Sequence, residues 1–188
     1  MHIKFIIMKS INILKILINI LFVLLNVILV LGFLLFIAVL FFNENLPFFL
    51  QGYKMLITSF DWNLSLVPIS TVVNFVLFTL AIYYLKKCIQ PFIESDFYST
   101  LVISNLNKTG NLFVFIGGST IIIRILSVLY FQSLIPTEGY SGFKIAGLLT
   151  SSLDITVLFL IIIGLFFLLF SNSFLNAKEF KQDSDLTI

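Results

Sequence analysis

Apolar positions in this chain run together instead of alternating with polar ones. Residues 17–42, 67–85, 112–131 and 153–170 are almost wholly apolar. Each run predicts a helix able to cross a hydrocarbon layer about 30 Å thick, which takes about 20 mostly apolar residues. A segment in lipid must satisfy its own backbone hydrogen bonds, and a helix does this locally. The pattern predicts an all-α integral membrane four-helix bundle, a single membrane domain over residues 1–188.

The intervening segments are short. Residues 1–15 read as a basic interfacial lead-in. The first outer loop, 43–65, is rich in aromatics, and the second, 132–152, carries Pro136, Gly139, Gly142 and Gly147 as helix breakers. Pro68 is expected in the first turn of span two, where a missing N–H costs nothing. In the connection 86–111, Pro91 is expected to end or kink the helix, and Ser95 or Asp96 to cap a partly amphipathic segment. Residues 172–188 read as a polar tail. The first run is too long for the 7–15-residue apolar region of a signal peptide and predicts an uncleaved first helix.

Charge then orients the chain. Only 11% of residues are charged, and the net charge of +2 does not point to a nucleic-acid surface. Lys4, Lys9, Lys15, Lys86, Lys87, Lys108, Lys178 and Lys181 fall on one side of the predicted spans, and only Lys54 and Lys144 on the other. The positive-inside rule puts both termini and the middle connection in the cytoplasm. Trp62, Tyr53, Tyr130 and Tyr140 then flank outer ends, and Tyr83 and Tyr84 an inner end, as belt aromatics do.

Polar and small residues inside the spans mark the faces that turn inward. They recur every seven residues, a spacing that holds one helix face. The rows are Asn12, Asn19 and Asn26; Asn74, Ala81 and Cys88; and Gly110, Gly117 and Arg124, with Asp154 opening the fourth span. Such residues serve packing and interhelical hydrogen bonds. Arg124 stands apart, because a charge that deep costs at least ~2.5 kcal/mol and needs a partner or water. Residue counting puts Asn74, Arg124 and Asp154 at similar depth in the outer half. The three form a candidate intramembrane polar cluster, either an ion pair fixing helix register or a site for an anion or a proton-linked switch.

Chemistry beyond this is sparse. His2 is the one histidine, so a serine–histidine–acid set cannot form within the spans. CxxC, HExxH, Walker and Gly-x-Gly-x-x-Gly patterns are missing. The expectation is no enzyme, no catalytic residue, no metal and no cofactor. Cys88 is the one cysteine, which excludes an intrachain disulfide.

Several features resemble one family of bacterial membrane proteins, domain of unknown function 2975. The matching elements are Leu85-Lys86-Lys87, Phe97, Asn105-Leu106, Gly110 and the ending Asp185-Leu186-Thr187-Ile188. The chain departs from the family pattern at Pro91, where a Gly-rich stretch is usual. The resemblance implies a bacterial inner membrane and a small helix-turn-helix regulator as neighbour. It supplies no activity.

Two functions follow as expectations. One is a non-enzymatic membrane partner or sensor, linked to such a regulator or to self-association, with no direct nucleic-acid contact of its own. Its cytoplasmic interaction residues would be Phe97, Asn105, Leu106, Asp185, Leu186, Thr187 and Ile188. The apolar–polar–apolar ending suits capture of an extended C-terminus by strand addition. The other is a small transporter or channel-like protein with its polar centre at Arg124.

Overall fold

The computed structural model describes residues 2–41, 62–94, 96–134 and 154–186. Four helices account for nearly all of them: α1 (His2–Phe41), α2 (Trp62–Ile93), α3 (Thr100–Leu134) and α4 (Ile155–Leu186). All four are long and apolar enough to cross a membrane, over Lys9–Ala38, Val67–Ile93, Thr100–Leu129 and Ile155–Ser184. The fold is the all-α membrane bundle that the apolar runs predict.

Consecutive helices pack against one another, with α1 on α2, α2 on α3 and α3 on α4. The pairings are antiparallel. Asn74 meets Thr120 near one end of α2, and Cys88 meets Val102 near the other. Along α3 and α4, Arg124 lies against Asp154 and Ile103 against Ser171. The core is a thin apolar seam of Ile18, Leu25, Ala81, Ile82, Ile89, Phe113 and Ile116. Most other large apolar side chains face outward, as Phe33, Val72, Phe115 and Phe159 do. In lipid these faces need no protein partner, because the tails are as apolar as leucine.

The helices outlast the apolar runs. Hydropathy falls where lysines begin, but backbone hydrogen bonding does not. Residues expected in the 86–111 connection are mostly helical, with α2 running to Ile93 and α3 starting at Thr100. Pro91 does not stop α2, which continues to Ile93. The Asp96 N–H then closes back on the Pro91 carbonyl at 2.9 Å. Ser99 caps α3, in place of Ser95 or Asp96. Its hydroxyl accepts from the Val102 N–H at 3.3 Å, the usual cap geometry.

Pro68 is likewise inside α2, six residues past its start, and not in the first turn. Its ring removes the N–H that would bond the carbonyl one turn back, at residue 64, a loss that spanning helices tolerate. Ser70 and Thr71 each donate to the Val67 carbonyl at 2.8 Å. The expected polar tail is also helix: α4 runs unbroken through Ser171 to Leu186.

Candidate functional site

The polar cluster is assembled from the N-terminal half of α2, the C-terminal half of α3 and the start of α4. Asp154 immediately precedes α4. Its Oδ1 accepts from the Thr156 N–H at 3.0 Å, and its carbonyl accepts from Leu158 at 3.2 Å. The same carboxylate presents Oδ2 to Arg124 Nη1 at 3.5 Å. One residue thus caps a helix and balances a charge on the neighbouring helix. Both side chains remain about 40% exposed, 39% for Arg124 and 40% for Asp154. The pair lies at the bundle's edge, and among the described residues its one charge contact is long, at 3.5 Å.

Asn74 belongs to a separate set one turn further in. Its amide donates to Thr120 Oγ1 at 3.0 Å, and its Oδ1 accepts from Ser119 Oγ at 3.1 Å. Both hydroxyls also lie within bonding distance of the Ile116 carbonyl, at 3.0 Å for Ser119 and 2.7 Å for Thr120. Thr120 is one helical turn from Arg124, about 6 Å along the axis. The three expected residues therefore divide, with Arg124 on Asp154 and Asn74 on α3 hydroxyls. Ser119 and Thr120 went unnoticed in the sequence because hydroxyl residues satisfy themselves on their own helix and give no hydropathy signal.

The seven-residue rows differ in what they do. On α2, Ala81 and Cys88 are fully buried against α3, where Thr109 and Val102 are fully buried too. Thr109 donates to the Asn105 carbonyl at 2.8 Å, with the Ala81 carbonyl at 3.4 Å. On α3, Gly110 and Gly117 let α4 approach closely. A Cβ on Gly110 would lie 2.7 Å from the Gly164 carbonyl oxygen, and one on Gly117 would meet Ile161. Gly164 and Ser171 complete this seam from α4, and the sequence reading missed both. Their seven-residue spacing was the available signal. Ser171 Oγ donates across to the Ile103 carbonyl at 2.9 Å.

The α1 asparagines do not form the expected inward row. Asn12 is exposed, and the Asn26 amide donates to the Phe22 carbonyl of its own turn at 2.7 Å. Asn19 Oδ1 is buried with no hydrogen-bond partner among the described residues. The buried line of α1 runs one residue earlier, through Ile18 and Leu25.

The expected cytoplasmic interaction residues also need correction. Asn105 is 6% exposed and Leu106 3%, so neither offers a surface. The cause is the early start of α3, which turns both toward its neighbours. Leu106 packs with Cys88 and Val102 in a small inner core that Phe92, Phe167 and Phe174 complete. Phe97 lies on Phe92, with ring centroids 5.5 Å apart. Asp185 and Leu186 end α4, so strand addition does not fit them, and Thr187 and Ile188 lie outside the described residues.

No group of three metal-ligating side chains forms among the described residues. Fold and seam together define a multi-pass helical membrane protein. No family model, curated protein or solved structure matches the chain.

Proposed function

We propose that this chain is a non-enzymatic membrane partner or sensor for a cytoplasmic protein, set in a bacterial inner membrane. Both termini and the α2–α3 turn would face the cytoplasm. The observation that carries this reading is the length of α4. The helix runs a further 12 residues past Phe174, which packs edge-on against Tyr98 at 5.8 Å. This stretch sets Phe180, 76% exposed, among Lys178, Glu179 and Lys181. Phe180 exposed among mixed charges, on a helix that runs past the α2–α3 turn, supports a docking role if this end of α4 stands in the cytoplasm.

The family resemblance names the partner as a small helix-turn-helix transcription regulator, with the regulator and not this chain contacting DNA. The test is an affinity pull-down from native membranes using the adjacent gene product as tagged bait. Co-purification of the full chain is the expected result, and its failure in membranes that contain both proteins overturns the reading.

A small transporter is the alternative. The run of polar groups Asn74, Ser119, Thr120, Arg124 and Asp154 favours it, since intramembrane ionisable residues mark pathways. Against it, these groups are largely engaged with one another, and α3 passes unbroken through Gly117-Gly118. Transporter sites are usually built at helix breaks. Ion or solute flux in proteoliposomes that is lost on neutralising Arg124 would establish this second function.

A further inference from the structure

Three lysines at the inner ends of the predicted spans sit on a row of aromatic rings that joins α1 and α2, with the third lysine reaching in from α3. Phe22 of α1 lies 6.0 Å from Tyr83 of α2, and Tyr83 lies 5.8 Å from Tyr84. Each ring carries one ammonium group. Lys86 Nζ is 4.9 Å from the centre of Phe22, Lys87 Nζ 4.4 Å from Tyr83, and Lys108 Nζ 5.3 Å from Tyr84. Two of these contacts join different helices: Lys86 reaches from α2 to α1, and Lys108 from α3 to α2.

A ring holds a cation through its quadrupole without contributing a negative charge. Among the described residues the three positive charges are therefore positioned by rings and meet no carboxylate in an ion pair. Helices α1, α2 and α3 contain no aspartate or glutamate at all. The nearest acid along α2 is Glu94, seven residues beyond Lys87 and roughly 10 Å along the axis. A further feature begins at the same ring. An open apolar groove of about 390 Å³ runs along α1, lined by Phe22, Val23, Asn26, Val27, Val30 and Leu31. Asn26 turns its amide back to its own helix, so the lining is apolar throughout. From Phe22 to Leu31 the groove extends roughly 13 Å toward the outer side.

We propose that Lys86, Lys87 and Lys108 bind the phosphate of an anionic phospholipid, with one acyl chain laid along the α1 groove. The charge calls for an anion. The ammonium groups supply the hydrogen-bond donors. An open apolar groove leading from the same ring calls for an apolar chain attached to that anion, and basic pockets between spanning helices recognise lipid head groups in this way. A free phosphate shares the anionic chemistry but leaves the groove unused. This inference does not depend on the cytoplasmic partner proposed above.

The test uses the full chain in nanodiscs of equimolar phosphatidylglycerol and phosphatidylcholine. Lipids that stay bound after release are counted by native mass spectrometry. The expected result is preferential retention of phosphatidylglycerol, falling about fivefold for each lysine neutralised. K86Q/K87Q/K108Q should retain both lipids equally. K178Q/K181Q, which removes charge elsewhere, should keep the preference. V27W should fill the groove and weaken lipid retention while leaving the lysines in place. Equal retention of the two lipids by the unsubstituted protein overturns the proposal without any variant. So does an equal loss of preference in K178Q/K181Q, which would mean diffuse attraction. Thermal stabilisation by inorganic phosphate alone that matches the lipid's would also overturn it, assigning the row to a free anion.

Discussion

Gly110 and Gly164 meet backbone to backbone, each so close that a Cβ on either would fall within 3 Å of the other's carbonyl oxygen, at 2.7 and 2.9 Å. A Cβ on Gly164 would also meet the Val114 backbone nitrogen at 2.9 Å. Backbone cannot move aside as a flexible side chain does. G110A or G164A should therefore destabilise the bundle by about 1–3 kcal/mol, the usual cost of overpacking. Gly118, one residue from the seam, has nothing within 4 Å of a built Cβ. G118A should be neutral or stabilise by up to about 1 kcal/mol, through helix propensity alone. Thermal melts in detergent give the comparison, and equal effects at all three positions would contradict the close approach.

The second prediction separates charge from capping at Asp154. Asn caps helices about as well as Asp, so D154N keeps the bond to the Thr156 N–H and removes the charge opposite Arg124. Each of D154N and R124Q should lower the melting temperature slightly, because a pair about 40% exposed is only partly shielded from its surroundings. The double variant should regain part of the loss, since an unpaired charge costs more than a missing pair. Strictly additive losses in the cycle would mean that the 3.5 Å contact contributes nothing.

Asn74 offers a smaller and cleaner measurement. Its two bonds to Ser119 and Thr120 join α2 to α3. Interhelical hydrogen bonds in membranes average ~0.6 kcal/mol and reach ~1.7 kcal/mol. N74A should fall in that range. Its coupling to S119A should be positive, and its coupling to R124Q near zero, because Arg124 pairs elsewhere. A large Asn74–Arg124 coupling would restore the single three-residue cluster that the sequence led one to expect.

These residues show what the sequence makes legible. Apolar runs give the four spans, because lipid demands long uncharged helices. Counting along antiparallel helices is enough to set Arg124 opposite Asp154. The helix ends are harder, since Lys86 and Lys87 end an apolar run without ending a helix. That error hid the burial of Asn105 and Leu106. Gly164 and Ser171 were missed for another reason. Their seven-residue spacing marks a common face, but two small residues make a short row, and the close approach of α3 is what gives it weight. The lysine–aromatic row was legible in composition, with Tyr83, Tyr84, Lys86 and Lys87 together in the sequence, but Phe22 and Lys108 join it only in three dimensions.

Orientation has a direct test. Reporter fusions after Asp61 and Glu138 should read as external. The internal reporter belongs at Asp96, which lies in the α2–α3 turn, and not at Asn105, which is buried in α3. The lysine distribution motivates this placement through the positive-inside rule. A cytoplasmic signal from the Glu138 fusion would invert or break the proposed topology.

The final prediction concerns the end of α4. Phe174 is packed against Tyr98 and in the inner core with Cys88, Val102 and Leu106. Beyond it, Leu175 is 41% exposed and Phe180 76% exposed. Deleting residues 175–188 should leave membrane insertion intact and shift the melting temperature little, because most of the described side chains there are exposed. Recovery of the proposed cytoplasmic partner should fall sharply with the same deletion. F180D should reproduce that fall in the full-length chain, because a charge there spoils an apolar docking face. Deleting only 185–188 separates the terminal Asp-Leu-Thr-Ile from the exposed helix. Partner loss with this short deletion would place the contact in the last four residues, and partner loss only with F180D or the long deletion would place it on the helix. A truncated chain that melts well below the full one would show that the end of α4 holds the bundle together, and the docking role would then have to lie elsewhere.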